Sequence, residues 1–254
     1  MKTISLVNIK GGVGKTISSV NLAACLALKN KKTLLIDIDP QSNSTQYLDR
    51  YDPNGLSSYD VLMDKDLNLK EVIKSTGVIG LDIIPANIKM IMLENEIIAD
   101  TKRSRENRLS RALKKIEDEY DFCIIDCPPS LGVITTNALV ASKYVLVPIK
   151  IDQFALDGFN YLMQTINQII DEFNPDLKFT GAFITMDKRT SVNRDIKQQL
   201  KEELKDKVFN SSIRENVKVT QSTFLLKPVV IYDKKCIASK DYEAFTNEVL
   251  YNIR

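Results

Sequence analysis

Residues 4–16 read ISLVNIKGGVGKT, and this segment is the most informative one about the fold. Its first half is apolar and β-branched, which predicts a buried strand. The glycines that follow let consecutive backbone N–H groups converge on one anion, and the helix predicted after them adds a favourable dipole. Lys15 can reach the β- and γ-phosphates of a nucleotide, and the Thr16 hydroxyl suits Mg²⁺. The general phosphate-loop pattern has glycine at position 9, whereas this chain has Ile9 and places a second lysine, Lys10, before the glycines.

Outward from this loop, short β-branched segments alternate with longer amphipathic ones. This alternation predicts an α/β fold with a doubly wound, mainly parallel sheet flanked by helices. We expect residues 1–254 to form one domain, with ligands bound beyond the carboxyl ends of the strands. The predicted strands are 4–9, 33–37, 81–84, 122–126, 144–148 and 179–184, and the helices predicted beyond the one at the loop are 87–98, 103–118, 133–141 and 155–172.

Composition excludes several classes of protein. Of the 254 residues, 44% are apolar and 27% are charged, which is near the globular average. No apolar run approaches the roughly 20 residues that a membrane helix needs, and the first residues lack a signal-peptide pattern. The absence of histidine excludes imidazole metal sites and Ser-His-Asp triads. The four cysteines lie in apolar or mixed segments, which favours reduced thiols in a cytosolic protein.

Charge is unevenly distributed along the chain. The net charge is +2, but residues 178–240 hold fourteen basic and seven acidic residues and therefore carry +7, which leaves −5 for the remainder. This polarity suggests an anionic partner for the C-terminal third. On charge alone, a solvated lysine-rich surface is an equally good interpretation.

Carboxylates follow two predicted strands. Asp37 and Asp39 leave one strand end on the same side, where they can meet a metal or a water beside the phosphates; the alternative is an Asp-Pro turn with capping carboxylates. Asp126 ends the apolar strand 122–126. A single acidic residue after an apolar run is common by chance. Asp126 is therefore informative as the third motif in order along the chain, after the glycine loop and the Asp37–Asp39 segment. Lys10 is, on its own, equally well interpreted as a surface lysine.

These three segments resemble the ParA/MinD family of partition and positioning ATPases, whose phosphate loop is called the deviant Walker A motif. The resemblance implies a P-loop NTPase fold and ATP with Mg²⁺ held between two subunits of a homodimer. Lys10 would cross to the partner's γ-phosphate, and Asp39 would orient the attacking water. The implied catalytic residues are Lys10, Lys15 and Asp39. The implied metal site consists of Thr16, Asp126 and Asp37. Asp37 would lie either near the Mg²⁺ shell or in support of it. The implied ATP contacts are Lys10, Gly11, Gly12, Val13, Gly14, Lys15, Thr16, Ile17, Met186, Asp187, Ile213 and Arg214.

Further segments extend the resemblance over nearly the whole chain. They include 104–109, 155–158 and 227–229, and we expect no N-terminal helix-turn-helix domain. The family's short members imply a weak ATPase that segregates DNA, here predicted to be a plasmid. The ATP dimer would bind duplex DNA without sequence specificity, and a ParB-like centromere-binding protein would stimulate hydrolysis. The implied location is cytoplasmic and nucleoid-associated, and the DNA contacts carried over are Arg189, Lys218 and Lys227.

The chain departs from the family's usual pattern at several positions. Ile17 replaces a second hydroxyl residue, so a hydrogen bond of about 1 kcal/mol to the α-phosphate is lost. Arg214 stands in the place of a proline beside the adenine, where it can stack on the base or turn outward to phosphate. Glu215 stands where a DNA-facing arginine is usual, and Leu226 replaces a glycine. The segment 185–190 is one residue shorter than the common form.

Three relatives with the same loop provide alternative functions. A MinD-like membrane-cycling ATPase needs an amphipathic C-terminal anchor, whereas residues 241–254 lack a basic polar face. An iron-protein reductase needs two cysteines per subunit at the dimer axis, and Cys127 lacks a convincing second ligand. A bacterial tyrosine kinase of this fold needs a tyrosine-rich tail, and Tyr232, Tyr242 and Tyr251 are too scattered.

Overall fold

The computed structural model describes residues 1–152, 155–188 and 190–253. Within them the strands form one seven-stranded sheet in the order β3-β4-β2-β5-β1-β6-β7. All neighbouring strands are parallel except β3, which runs antiparallel to β4. The strands are β1 (Lys2–Leu6), β2 (Thr33–Asp37), β3 (Lys74–Ser75), β4 (Leu81–Ile84), β5 (Phe122–Asp126), β6 (Tyr144–Lys150) and β7 (Lys178–Thr185).

Helices cover both faces of the sheet. They are α1 (Lys15–Leu28), α2 (Asn43–Tyr47), α3 (Ser58–Met63), α4 (Leu69–Val72), α5 (Met90–Ala99), α6 (Arg108–Leu113), α7 (Val133–Ala141), α8 (Ala155–Glu172), α9 (Ser191–Leu204), α10 (Val217–Phe224), α11 (Val229–Tyr232) and α12 (Ile237–Asn252). Two short 3₁₀ turns, Lys114–Ile116 and Lys205–Lys207, follow α6 and α9.

The core is divided into two apolar layers by the sheet. One layer packs α3, α5, α6, α7 and α8 against it, and the other packs α1, α11 and α12. Strands buried on both faces are near-continuous runs of apolar residues, and β5 and β2 are buried at every position. The predicted doubly wound, mainly parallel sheet is therefore confirmed.

Several predicted boundaries were wrong. The strand predicted over 4–9 ends at Leu6, because residues 7–14 already form the loop. The helix predicted over 103–118 is only α6 and its 3₁₀ turn. It begins at Arg108 because the Asn137 side chain accepts the backbone N–H of Arg108 at 2.9 Å and fixes the helix start there. The two-residue strand β3 was missed, since Lys74 and Ser75 carry no apolar alternation.

Register places the functional segments at one edge. β5 lies between β1 and β2, and Asp126 pairs in register with both Leu6 and Asp37. The loop after β1 and the carboxylates at the ends of β2 and β5 therefore leave the sheet side by side. This edge is the carboxyl end of the parallel strands, where open α/β sheets bind ligands.

Candidate functional site

The glycine loop wraps around open space. Gly12 and Gly14 have φ angles of +70° and +81°, a conformation that glycine adopts without steric cost. A side chain built on Gly11 or Gly12 would meet nothing within 4 Å, so both face open space. α1 begins at Lys15, directly after this turn, and its first N–H groups lack partners within the helix. The predicted phosphate cradle therefore has the required shape.

Lys15 is held by the loop that it follows. Its ammonium donates to the backbone carbonyls of Asn8 at 2.9 Å and Lys10 at 3.1 Å. Burial lowers the pKa of Lys15, while Asp126 and, more weakly, Asp39 oppose that shift. Asn8 also fixes the loop, because its side chain accepts the Lys10 N–H at 2.9 Å and donates to the Pro148 carbonyl at 2.7 Å. Sequence reasoning missed this role of Asn8.

A cavity of about 450 Å³ lies against the loop. Seven of the predicted ATP contacts line it, together with the predicted catalytic Asp39. Its lining is Gly11, Gly12, Gly14, Lys15, Thr16, Ile17, Asp39, Gln41, Asn43, Tyr47, Pro129, Met186, Thr223 and Leu226. Val13 instead lies beneath the loop, almost fully buried, and its carbonyl accepts from Thr185 at 2.8 Å.

Asp39 and Asp37 have different surroundings. Asp39 lines the cavity and is held by its own turn, because its side chain accepts the Gln41 N–H at 2.9 Å. Asp37 is fully buried, and one of its oxygens accepts from both the N–H and the hydroxyl of Thr45, at 2.8 and 2.7 Å. Its other oxygen accepts the Asp39 N–H at 3.1 Å. This geometry favours the supporting alternative for Asp37, which positions the turn that carries Asp39.

Asp126 lies between two hydroxyl groups at the base of the site. It is fully buried and accepts from Ser19 at 3.0 Å and Ser44 at 2.7 Å. Burial raises the pKa of Asp126, and hydrogen bonds from Ser44, Thr16 and Ser19 oppose the rise. Burial and the neighbouring Asp126 charge also raise the pKa of Asp37. Neither Ser19 nor Ser44 was predicted, since hydroxyl residues are frequent and only the fold brings them to β5.

The donor set fits Mg²⁺ bound together with a nucleotide. Within the described residues, no group of three or more carboxylate or thiol side chains is placed to hold an ion by itself. Mg²⁺ in nucleotide sites is held by one or two protein oxygens, waters and the phosphates. Thr16 beside Asp126, next to the open loop, supplies such a partial shell.

The predicted adenine-side residues surround a smaller cavity. It has about 150 Å³, shares Gly14, Ile17 and Met186 with the larger one, and is also lined by Ile213 and Arg214. The guanidinium and the backbone N–H of Arg214 both bind Asp241 of α12. Stacking on adenine and contact with phosphate both stay predictions for Arg214, and this ion pair was not predicted.

Asp187 is bound by other side chains of the protein. It accepts from Lys197, from Ser212 at 2.8 Å and from Asn193 at 3.3 Å. Burial would raise the pKa of Asp187, but these three hydrogen bonds hold it below its ordinary value. Its backbone N–H donates to the Ile213 carbonyl at 2.9 Å, which ties the two predicted adenine-side segments together.

Lys10 forms a contact within its own subunit. Its ammonium pairs with Asp152, which follows β6, and the two side chains are 37% and 33% exposed. Lys10 does not line the nucleotide cavity in this conformation. A cross-subunit role for Lys10 remains a prediction, and it requires this ion pair to open.

The residues predicted to contact DNA lie on α10 and after it, except Arg189, which lies outside the described residues. The Lys218 ammonium sits 5.7 Å from the centre of the Tyr232 ring, and Lys227 lines a surface cavity with the same Tyr232. Glu215, the acidic departure from the family pattern, forms an exposed ion pair with Lys188 at 3.1 Å. Its negative charge is thus partly neutralised.

The cysteines and helices bear on the alternative functions. Cys123 and Cys127 are fully buried, and the four cysteines, all within the described residues, form no disulfide. Over the same residues, no helix combines the length and apolarity needed to span a bilayer. α12 packs on α1 through the buried side chains of Tyr242, Phe245 and Val249.

The site consists of a glycine loop between a parallel strand and a helix, and acidic strand ends flank the loop. P-loop ATPases have this arrangement, and we assign the chain to that class. An AAA domain family model matches residues 1–179. The chain is 41% identical to the sporulation initiation inhibitor protein Soj of Bacillus subtilis, covering 99% of both chains. It is 40% identical to the chromosome-partitioning ATPase Soj of Treponema pallidum, covering 98% of this chain and 97% of that one. The chain belongs to this Soj/ParA family, as the sequence predicts.

Solved structures confirm the fold and the cofactors. Cobyrinic acid a,c-diamide synthase from Mycobacterium smegmatis, with a bound ATP analogue and magnesium, superposes with a TM-score of 0.87 at 30% identity. The match covers 100% of this chain and 96% of that one. ATP with Mg²⁺, predicted from the loop and its family, is therefore confirmed as the ligand pair of homologous structures.

Proposed function

We propose that this chain is an ATP-dependent DNA-partition ATPase. The observation that carries the proposal is the convergence of the two-lysine loop with Asp39 and Asp126 at one edge of the sheet. The two Soj relatives are 41% and 40% identical to nearly the full chain, whereas the mycobacterial synthase is 30% identical. The closer similarity to Soj favours partition rather than the biosynthetic activity of the synthase. The replicon that we predict is a plasmid, whereas the Treponema relative is named for chromosome partitioning.

The chain's residues supply the parts of a phosphoryl-transfer site. The loop amides and Lys15 bind the phosphates, and the Asp39 carboxylate orients the attacking water. Thr16 and Asp126 hold Mg²⁺, with Asp126 kept in place by Ser19 and Ser44. When bound, the ion neutralises charge on the β- and γ-phosphates.

Dimerisation completes this site in our proposal. Lys10 leaves Asp152 and reaches the γ-phosphate bound by the partner subunit, where it stabilises the charge of the transition state. ATP then acts as a switch, because it binds the closed dimer more tightly than the open chain. A lone subunit with Lys10 held by Asp152 hydrolyses ATP slowly.

The ATP dimer binds duplex DNA through its basic C-terminal third. Lys218 lies over the Tyr232 ring, Lys227 lines a surface cavity with Tyr232, and Arg189 is predicted to add to the same surface. Phosphate contacts of this kind hold DNA without reading its sequence. A ParB-like protein stimulates hydrolysis and releases the DNA, so the protein cycles on and off the nucleoid in the cytoplasm. The docking of α12 in the core favours this function over a membrane anchor formed by that helix.

The experiment compares Lys10→Ala with wild type and with Lys29→Ala, a surface-lysine control. We expect Lys10→Ala to keep ATP binding and lose hydrolysis, because Lys15 and the loop amides remain. Lys29→Ala should hydrolyse ATP normally. Hydrolysis by Lys10→Ala at the wild-type rate contradicts the proposed mechanism. In cells, loss of plasmid rather than of chromosome in an Asp39→Ala strain identifies the replicon.

A further inference from the structure

A second cavity lies on the face of the sheet covered by α3 and α6. It has about 380 Å³ and is formed by α6, by the residues that follow α3, and by the segment 102–104. Its floor is apolar and buried, and includes Val61, Leu69 and Ala112. It shares no lining residue with the nucleotide cavity, and it lies outside the basic segment 178–240.

Positive charge is concentrated in this second cavity. One carboxylate, Asp64, lines it, together with six basic side chains: Lys65, Lys102, Arg103, Arg108, Arg111 and Lys115. Within the described parts of the chain, only Arg108 among these six forms an ion pair, with Asp100 at 2.8 Å. The other five form no ion pair there, and four of them, Lys65, Lys102, Arg111 and Lys115, are exposed. Burial, and after it the charges of Arg108 and Arg111, lower the pKa of Arg103, while the charges of Asp100 and Asp64 oppose this shift.

The walls are fixed without a ligand. Arg108 is 1% exposed, and besides Asp100 it donates to the Ser104 carbonyl at 3.1 Å. Arg103 donates to the Met63 carbonyl at 2.6 Å, and Lys115 donates to the Lys65 carbonyl at 2.6 Å. These bonds join α6 and its 3₁₀ turn to the end of α3, to the residues that follow α3 and to the segment 102–104. Because Arg103, Arg108 and Lys115 are already held in place, the cost of ordering the cavity when an anion enters falls mainly on the exposed side chains.

Size and charge together select the class of anion. A sphere of this volume is roughly 9 Å across, which is the length of about three residues of extended chain. An acidic peptide can therefore place about three carboxylates in the hollow, and duplex DNA is too wide to enter it. A terminal phosphate carries about −1.5 to −2 charges and an inner one about −1, so two or three linked phosphates carry about −3 to −5, which matches the five cations less the charge of Asp64. Arginine guanidinium groups also bind phosphate oxygens in pairs.

We propose that this cavity is a second anion site, which binds a small molecule bearing two or three linked phosphates. The site is separate from the nucleotide loop, so the two can be occupied together. Its ligand is held by Arg111 of α6 and by Arg103, Lys102 and Lys65 of the neighbouring segments.

The test is calorimetric titration of inorganic tripolyphosphate into protein already saturated with ADP, so that the nucleotide loop is occupied. The variants are Arg111→Glu and Lys102→Glu, with Lys114→Glu as the control. Lys114 is exposed and adjacent to Lys115 in sequence, but it does not line the cavity. Thermal unfolding of each variant checks that it is folded, and ADP affinity should be the same in all of them.

We expect one tripolyphosphate to bind per ADP-saturated chain. Each cavity variant should weaken this binding about tenfold or more, since a charge-assisted contact is replaced by repulsion, and Lys114→Glu should leave it unchanged. Absence of binding once ADP fills the loop overturns the proposal, as does equal binding by all the variants. Tighter binding of hexaglutamate than of tripolyphosphate overturns the ligand class. Loss of ATP-dependent duplex binding in Arg111→Glu makes the cavity part of the DNA surface and overturns the separate site.

Discussion

Removal of the Asp152 carboxylate should make ATP-dependent dimerisation easier. In the single subunit, Asp152 holds the Lys10 ammonium that the proposed dimer needs at its interface. Asp152→Ala removes that contact and leaves the glycine loop and Lys15 unchanged. The free subunit then loses an interaction that the closed dimer does not make, so the equilibrium shifts toward the dimer.

The size of the shift in the dimerisation equilibrium follows from the exposure of the Lys10 and Asp152 side chains. The two side chains are 37% and 33% exposed, and an ion pair of this kind contributes about 0.5–1 kcal/mol. Closing a dimer breaks two such pairs, one in each subunit, which gives about 1–2 kcal/mol in total. The dimer dissociation constant should therefore fall by about 5- to 30-fold. High salt should reduce the difference, since exposed pairs are screened.

The assay is sedimentation equilibrium with a non-hydrolysable ATP analogue and Mg²⁺. Asp171→Ala, which removes an exposed carboxylate from α8, is the matched control and should behave as wild type. With ADP, neither variant should form more dimer than wild type. If Asp152→Ala dimerises less than wild type, Asp152 helps the closed state instead, and the idea that it restrains Lys10 is refuted.

The remaining predictions address the water-orienting carboxylate, the α12 ion pair and the thiols. Asp39→Ala should lower the ATP hydrolysis rate by about 10²- to 10⁴-fold. It should also leave an ATP-bound dimer, which size-exclusion chromatography in ATP detects. A variant that stays monomeric in ATP would count against the water-orienting role of Asp39. Arg214→Ala should lower the free energy of unfolding in urea by about 1–2 kcal/mol, because Asp241 is left buried without its partner. An unchanged urea midpoint would show that the Arg214–Asp241 ion pair does not stabilise the fold. Burial raises the pKa of Cys25 to about 11, so Cys25 remains a thiol at pH 8. Of the four cysteines, only the half-buried Cys236 should react quickly with a disulfide reagent. Fast reaction of two or more thiols in the native protein would contradict the buried environment.

Local sequence was sufficient to predict the loop and the strand ends. The glycine positions, Lys15 and Thr16 act through residues adjacent in the chain, so their pattern is visible without the fold. Asp39 and Asp126 could be placed near them because parallel strands align their carboxyl ends at one edge. For this reason most of the predicted phosphate-side residues line one cavity.

Contacts between distant segments could not be predicted in the same way. Ser44 reaches Asp126 across 82 residues of sequence, and Lys10 reaches Asp152 across 142. Nothing near Arg214 in sequence indicates Asp241, since α12 is brought to it by packing on α1. The departure at Leu226 is clearer in the structure: its φ of +53° is a left-handed conformation, which explains why glycine suits this position.

An ATP-switched partition ATPase should bind DNA in a nucleotide-dependent way, so DNA binding should be measured with ATP, with ADP and without nucleotide. Fluorescence anisotropy on two unrelated duplexes at two salt concentrations is sufficient. We predict binding in ATP alone, equal on both duplexes, and weakening steeply with salt; Lys227→Glu should flatten the log–log salt slope by about 0.9 or more. Equal binding in ADP, or binding to only one duplex sequence, would contradict an ATP-switched partition ATPase.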